Sequence, residues 1–87
     1  MKIKGQFIRQ LREAHGYSLL KMGTLIGYSR SALWQLERNC NARAEIELLA
    51  RIAILFNINI EDMIDMEEVY RELTKIKILN AKIPTIF

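Results

Sequence analysis

The sequence is poor in several residues whose presence would redirect its reading. It has one cysteine, Cys40, so no internal disulfide can form and no cysteine pair can hold a metal. Its one histidine, His15, has no cluster of carboxylates around it in the sequence, which leaves no set of zinc ligands. The single proline, Pro84, stands near the C-terminus, so no ring interrupts a helix before that point. No apolar run approaches the roughly 20 residues that a membrane span requires. The opening run Met1-Lys2-Ile3-Lys4-Gly5-Gln6-Phe7-Ile8-Arg9 lacks the apolar core of a signal peptide, and a cytoplasmic location is expected. No nucleophile–base pair, phosphate-binding loop or suitably spaced carboxylate pair is visible. The chain is therefore not expected to be an enzyme, nor to carry a metal or cofactor.

What remains is a chain of 87 residues, 51% of them apolar, which is enough for one compact core and too much for a disordered segment. The net charge of +3 is unevenly spread. Eight Lys or Arg residues stand against two acidic residues up to Arg43, whereas five stand against eight from Ala44 onward. The first half carries the attraction for a polyanion and the second half opposes it. A charged face that serves only solubility would give the same count.

Periodicity divides the chain into helices. The first is predicted from Gly5 to His15, with Phe7, Ile8, Leu11 and Ala14 on one stripe and Gly16 as its stop. Ser18 caps a second helix. There Leu19, Leu20, Met22, Leu25 and Ile26 leave few polar positions, so it should be mostly buried, and Gly27 ends it. Ser29 caps a third helix, Arg30 to Asn39. Leu33 and Leu36 point inward, and Arg30, Ser31, Trp34, Gln35 and Arg38 point outward on a 100° wheel. A fourth helix runs from Glu45 to Phe56, stopped by Asn57. A short fifth runs from Ile60 to Asp65, with Asn59 and Asp62 as a capping pair. From Met66 to Ile78 the residues Met66, Val69, Leu73 and Ile76 mark an amphipathic helix.

The second helix, the turn Gly27-Tyr28-Ser29 and the third helix form a bihelical unit. The run Leu25-Ile26-Gly27-Tyr28-Ser29-Arg30-Ser31-Ala32-Leu33, followed by Leu36-Glu37-Arg38 and Leu49-Ala50-Arg51-Ile52-Ala53, resembles the phage-repressor/Cro helix-turn-helix family. The preceding Ile8-Arg9-Gln10-Leu11-Arg12-Glu13-Ala14 and Gly16-Tyr17-Ser18, and the later Ile58 to Ile64, are similar to the same family, so the likeness spans Gly5 to Ile64. The resemblance implies an all-α, five-helix, lambda-repressor-like domain over residues 1–65, followed by a C-terminal segment, 66–87. It also implies sequence-specific binding of double-stranded DNA as a transcriptional regulator, a repressor, commonly a homodimer on a two-fold related operator.

By position, the resemblance puts base reading on Arg30, Ser31 and Gln35. Arginine suits guanine O6 and N7, and glutamine suits adenine N6 and N7. Trp34 stands at the edge of that face, either as a further DNA contact or as an aromatic half-buried against the first two helices. Phosphate contacts fall on Ser18, Ser29, Lys21, Arg38, Asn39 and Arg43; for the two serines, capping alone would explain their presence. Arg12 and Glu37 occupy the positions of a structural ion pair. Leu19 stands where the family commonly has a phosphate-binding glutamine. Gly23 replaces a small alanine and should weaken the second helix by up to about 1 kcal/mol. Tyr28 replaces a valine in the turn, and Ala44 a proline ahead of the fourth helix. His15 and Cys40 are expected to be solvent-facing bystanders. The stripe Met66, Val69, Leu73 and Ile76 fits a homodimer seam. The alternative, second to the homodimer, is a protein partner, as for an antitoxin or anti-regulator.

Overall fold

The computed structural model describes residues 2–39 and 44–81, and the expectations placed on Cys40, Arg43 and the tail beyond Ala81 lie outside them. The described residues form helices α1 (Gly5–Ala14), α2 (Leu19–Ile26), α3 (Arg30–Arg38), α4 (Ile46–Phe56) and α5 (Met66–Ala81), with one 3₁₀ turn, Ile60–Met63, between the last two. The all-α prediction holds, and the α boundaries fall within a few residues of those expected.

Local chemistry explains where the helices start and stop. Ser18 accepts a hydrogen bond from the Lys21 N–H at 3.0 Å, and Ser29 accepts one from the Ala32 N–H at 3.0 Å. Each serine satisfies a donor that has no partner within its own helix. Gly16, Gly27 and Asn57 take positive φ values of 72°, 78° and 53° at the ends of α1, α2 and α4. Those left-handed residues turn the chain away from the axis and stop each helix.

The core is a single apolar cluster. Ile8, Met22, Leu33, Leu49, Ile52 and Met63 are its fully buried members, so every segment from α1 to the 3₁₀ turn contributes at least one side chain. Ile3 joins them from the N-terminus through an antiparallel β-bridge to Ile64. The Lys4 N–H donates to the Met63 carbonyl and the Asp65 N–H to the Lys2 carbonyl, both at 2.8 Å. The fifth helical element is a 3₁₀ turn, and the bridge explains why it stops at Met63. Ile64 is drawn into an extended conformation (φ −113°, ψ 141°) that no helix can continue through. Asp65 then caps α5 by accepting from the Glu68 N–H at 3.3 Å.

Two expectations need correction. The apolar helix α2 is not mostly buried. Met22, Gly23 and Ile26 face the core, but Leu20 is 68% exposed and Leu25 46%. A two-turn helix at the edge of a small domain has one covered side, and a domain this size cannot cover every apolar side chain. Gly23 is also more than a weak point. A Cβ there would collide with the Tyr28 carbonyl oxygen. The Gly27 and Tyr28 N–H groups both donate to the Gly23 carbonyl, at 2.8 and 3.0 Å, so the turn folds directly back over this residue. The glycine is set by close approach, not by helix propensity. Gly23→Ala should therefore lower the melting temperature, by a denaturation scan, whereas propensity alone predicts a gain of up to about 1 kcal/mol.

Candidate nucleic-acid interface

α3 is held from its inner side. Leu33 and Leu36 are buried in the core, and between α1 and α3 lies a two-pronged ion pair. Arg12 Nε donates to Glu37 Oε2 at 2.8 Å, and Nη2 donates to Oε1 at 3.0 Å. Nη1 donates to the Tyr17 carbonyl at 2.8 Å, so the guanidinium is satisfied on every edge. Arg12 is 8% exposed and Glu37 5%. The hydrogen bond to Glu37 outweighs the opposing effect of burial and raises Arg12 above the usual guanidinium pKa. Beside the pair, α1 crosses α3 at Gly5. A Cβ on Gly5 would sit 2.5 Å from the Leu36 carbonyl oxygen and 2.6 Å from that of Glu37.

The outer side of α3 is the converse. Arg30, Ser31, Trp34, Gln35 and Arg38 are all exposed and occupy one side of the helix. The only acidic residue of α3, Glu37, is turned inward onto Arg12, so this face carries no carboxylate. The Arg38 guanidinium lies 5.2 Å from the Trp34 ring centroid. That cation–π contact helps to hold the indole on the outer face, where Trp34 remains 45% exposed. Ser18, Lys21, Ser29 and Asn39 are exposed as well. The N-termini of α2 and α3 therefore open toward solvent with their first N–H groups outside the i−4 pattern.

The geometry is that of a helix held at a fixed tilt with a basic, hydrogen-bonding side outward. The helix-turn-helix family model matches residues 8–63, which takes in most of α1, all of α2 to α4 and the 3₁₀ turn. The chain belongs to the phage-repressor/Cro helix-turn-helix family. It is 38% identical over 66 residues to a protein of Thermococcus gammatolerans that carries the name of an HTH-type transcriptional regulatory protein. The match takes in 76% of this chain but 20% of that relative, so the chain spans about a fifth of its length. A solved complex of DNA with SinR, the master regulator for biofilm formation, superposes with a TM-score of 0.62 at 29% identity, over 68% of this chain and 94% of that one. The restriction-modification controller protein C.AhdI from Aeromonas hydrophila gives a TM-score of 0.61 at 27% identity, over 69% and 89% of the two chains.

In this helix-turn-helix protein the expected face residues Arg30, Ser31, Trp34 and Gln35 do share one surface, and Arg12 and Glu37 do pair. The C-terminal stripe divides. Met66 and Val69 pack on the domain's own core, whereas Leu73 and Ile76 are each 52% exposed, and Tyr70 extends the exposed strip. His15 is exposed as expected, yet its ring lies 4.8 Å from that of Phe56 and covers it. Sequence reasoning missed Arg51 of α4. It donates to the Ile26 carbonyl at the end of α2 and to Glu47 Oε1, each at 2.7 Å. The spacing of Glu47 and Arg51 signals a pair within α4, but nothing local to α4 signals a reach to α2.

Removing one member of the buried pair leaves the other charge without a partner. Glu37→Gln should cost about 3 kcal/mol in chemical denaturation. The double variant Arg12→Met/Glu37→Leu should recover most of that loss. A single variant as stable as the parent would show that the pair contributes nothing to holding α3.

Proposed function

We propose that the chain binds double-stranded DNA sequence-specifically and acts as a transcriptional repressor, with α3 in the major groove. One observation carries this reading: an exposed helix face of two arginines, a serine, a glutamine and a tryptophan from which the only nearby carboxylate has been withdrawn. B-DNA admits an α-helix in its major groove and shows there a readable donor and acceptor pattern. Arg30, Ser31 and Gln35 read base edges, with Trp34 against sugar or a thymine methyl. Ser18, Lys21, Ser29, Arg38, Asn39 and Arg43 grip phosphates on either side. Support comes from the family and from the SinR complex with DNA, whose fold this chain shares. The chain works as a cytoplasmic binding protein and not as an enzyme; no helix among the described residues is long and apolar enough to cross a membrane.

We assign residues 1–65 to DNA binding and 66–87 to assembly, with a homodimer as the favoured partner arrangement. The exposed Leu73 and Ile76, continued by Tyr70, favour a protein contact along α5. A second reading uses the same strip for a different protein, so that the chain serves as an antitoxin or anti-regulator.

Selection from random duplexes tests both. The expected result is a two-fold related motif with half-site centres about 34 Å apart. Failure to retain any duplex at low salt would overturn DNA binding and leave the protein-binding reading. Arg30→Ala should relax one base pair per half-site and cost roughly 1–3 kcal/mol, whereas Arg38→Ala should weaken all sequences alike and flatten the salt slope by about 0.9. Titrations at several salt concentrations separate the two. Leu73→Asp should shift the chain toward monomer in analytical ultracentrifugation, and an unchanged dimer would exclude α5 as the seam.

A further inference from the structure

The turn between α2 and α3 is held from outside the two helices that it joins. Arg51 reaches it from α4. One arm, Nη1, donates to the Ile26 carbonyl at 2.7 Å; the other, Nη2, is fixed by Glu47 at 2.7 Å. That carbonyl belongs to the last turn of α2, where the helix dipole is negative and no partner remains within the helix. The same guanidinium lies 5.5 Å from the centroid of the Tyr28 ring, the residue that precedes the Ser29 cap. Gly27 makes the room, since a Cβ there would come within 2.8 Å of Nη1. Tyr28 and Gly23, two of the departures from the family pattern in this motif, thus belong to one arrangement. The turn presses down on Gly23 from one side and is gripped by Arg51 from the other.

We propose that Arg51 is a positioning residue for DNA recognition, setting the angle of α3 from its N-terminal end without touching DNA. The inference rests on the DNA-binding reading. α3 is fixed near its C-terminal end by the Arg12–Glu37 pair and the Gly5 crossing. Ahead of Leu33, which is seated in the core, its first turn is held through the α2–α3 turn, and Arg51 ties that turn to the body. A rod released at one end pivots about the other. Arg30 and Ser31 stand at the end that would move, and Gln35 lies closer to the pivot.

The test is Arg51→Met in the full chain, assayed well below its melting temperature. Duplexes would be the selected site, its single-base variants and a random sequence, over a range of salt. The expected result is a fall of about tenfold in the ratio of selected-site to random affinity. The loss should concentrate at the base pairs that Arg30→Ala relaxes, with the salt slope unchanged. Arg51→Lys can reach one acceptor but not both, and should fall between. A salt slope reduced by about 0.9 would make Arg51 a phosphate contact and overturn the proposal. Unaltered discrimination, with or without a lower melting temperature, would also overturn it. If Arg51→Met does not fold, Glu47→Ala, which frees one arm at an exposed position, gives the same readouts. A smaller loss at the same base pairs supports the role, and none overturns it. If the parent chain itself binds no duplex, the DNA-binding reading falls and this role falls with it. If the parent binds and the variants match it, only the role of Arg51 falls.

Discussion

Two opposite charges closed off from water between α1 and α3 set the terms for the rest of the molecule. Burying a guanidinium or a carboxylate alone is costly, and burying both is tolerable only when every donor meets an acceptor. Each of the three guanidinium nitrogens of Arg12 has an acceptor, two of them on Glu37 and one at the Tyr17 carbonyl, and no buried side-chain nitrogen or oxygen among the described residues lacks a partner. The geometry that satisfies it is narrow, because a planar fork must face a planar carboxylate. Helices α1 and α3 are therefore fixed relative to each other more tightly than apolar packing alone would require. The same pairing clears the outer surface of α3 of negative charge. One interaction thus serves both architecture and the electrostatics of the exposed face.

Close backbone approach supplies the remaining constraints. At Gly5 the first helix rests on the carbonyls at the end of α3, and at Gly23 the turn rests on α2. Both contacts depend on hydrogen standing where a methyl group would collide. A domain of this size has little apolar area to spare, and it gains rigidity by bringing backbones together instead of adding bulk. Leu20 and Leu25 remain uncovered on α2, showing how little of the surface can be enclosed.

Much of the fold was legible in the chain because its punctuation is local. Ser18, Ser29, Gly16, Gly27 and Asn57 mark helix ends through their own backbone and side-chain chemistry, and each does so in the structure. The outward side of α3 followed from a helical wheel anchored by Leu33 and Leu36. What was hidden is non-local. Periodicity tells which residues share a side but not what faces that side, so α2 looked buried when only Met22, Gly23 and Ile26 are covered. Helix propensity counted Gly23 as a weakness because the neighbour that needs the space, Tyr28, approaches only in three dimensions. The pairing of Arg12 with Glu37 came from family resemblance, and their 25-residue separation offers no local cue. The reach of Arg51 to Ile26 had no cue of either kind.

The bridge between Ile3 and Ile64 has a consequence for how the molecule is made. Its two sides lie at opposite ends of the helix-turn-helix region, so the N-terminal segment waits for its partner while nearly all of that region is synthesised. Closing a contact of such long range costs more chain entropy than forming a local helix does. On the ribosome, α1 would emerge with Ile3 still uncovered, and the base of α5 would be tied down only once residues past Ile64 had cleared the exit tunnel. The pairing that covers Ile3 thus also fixes the chain at Asp65, the residue that caps α5.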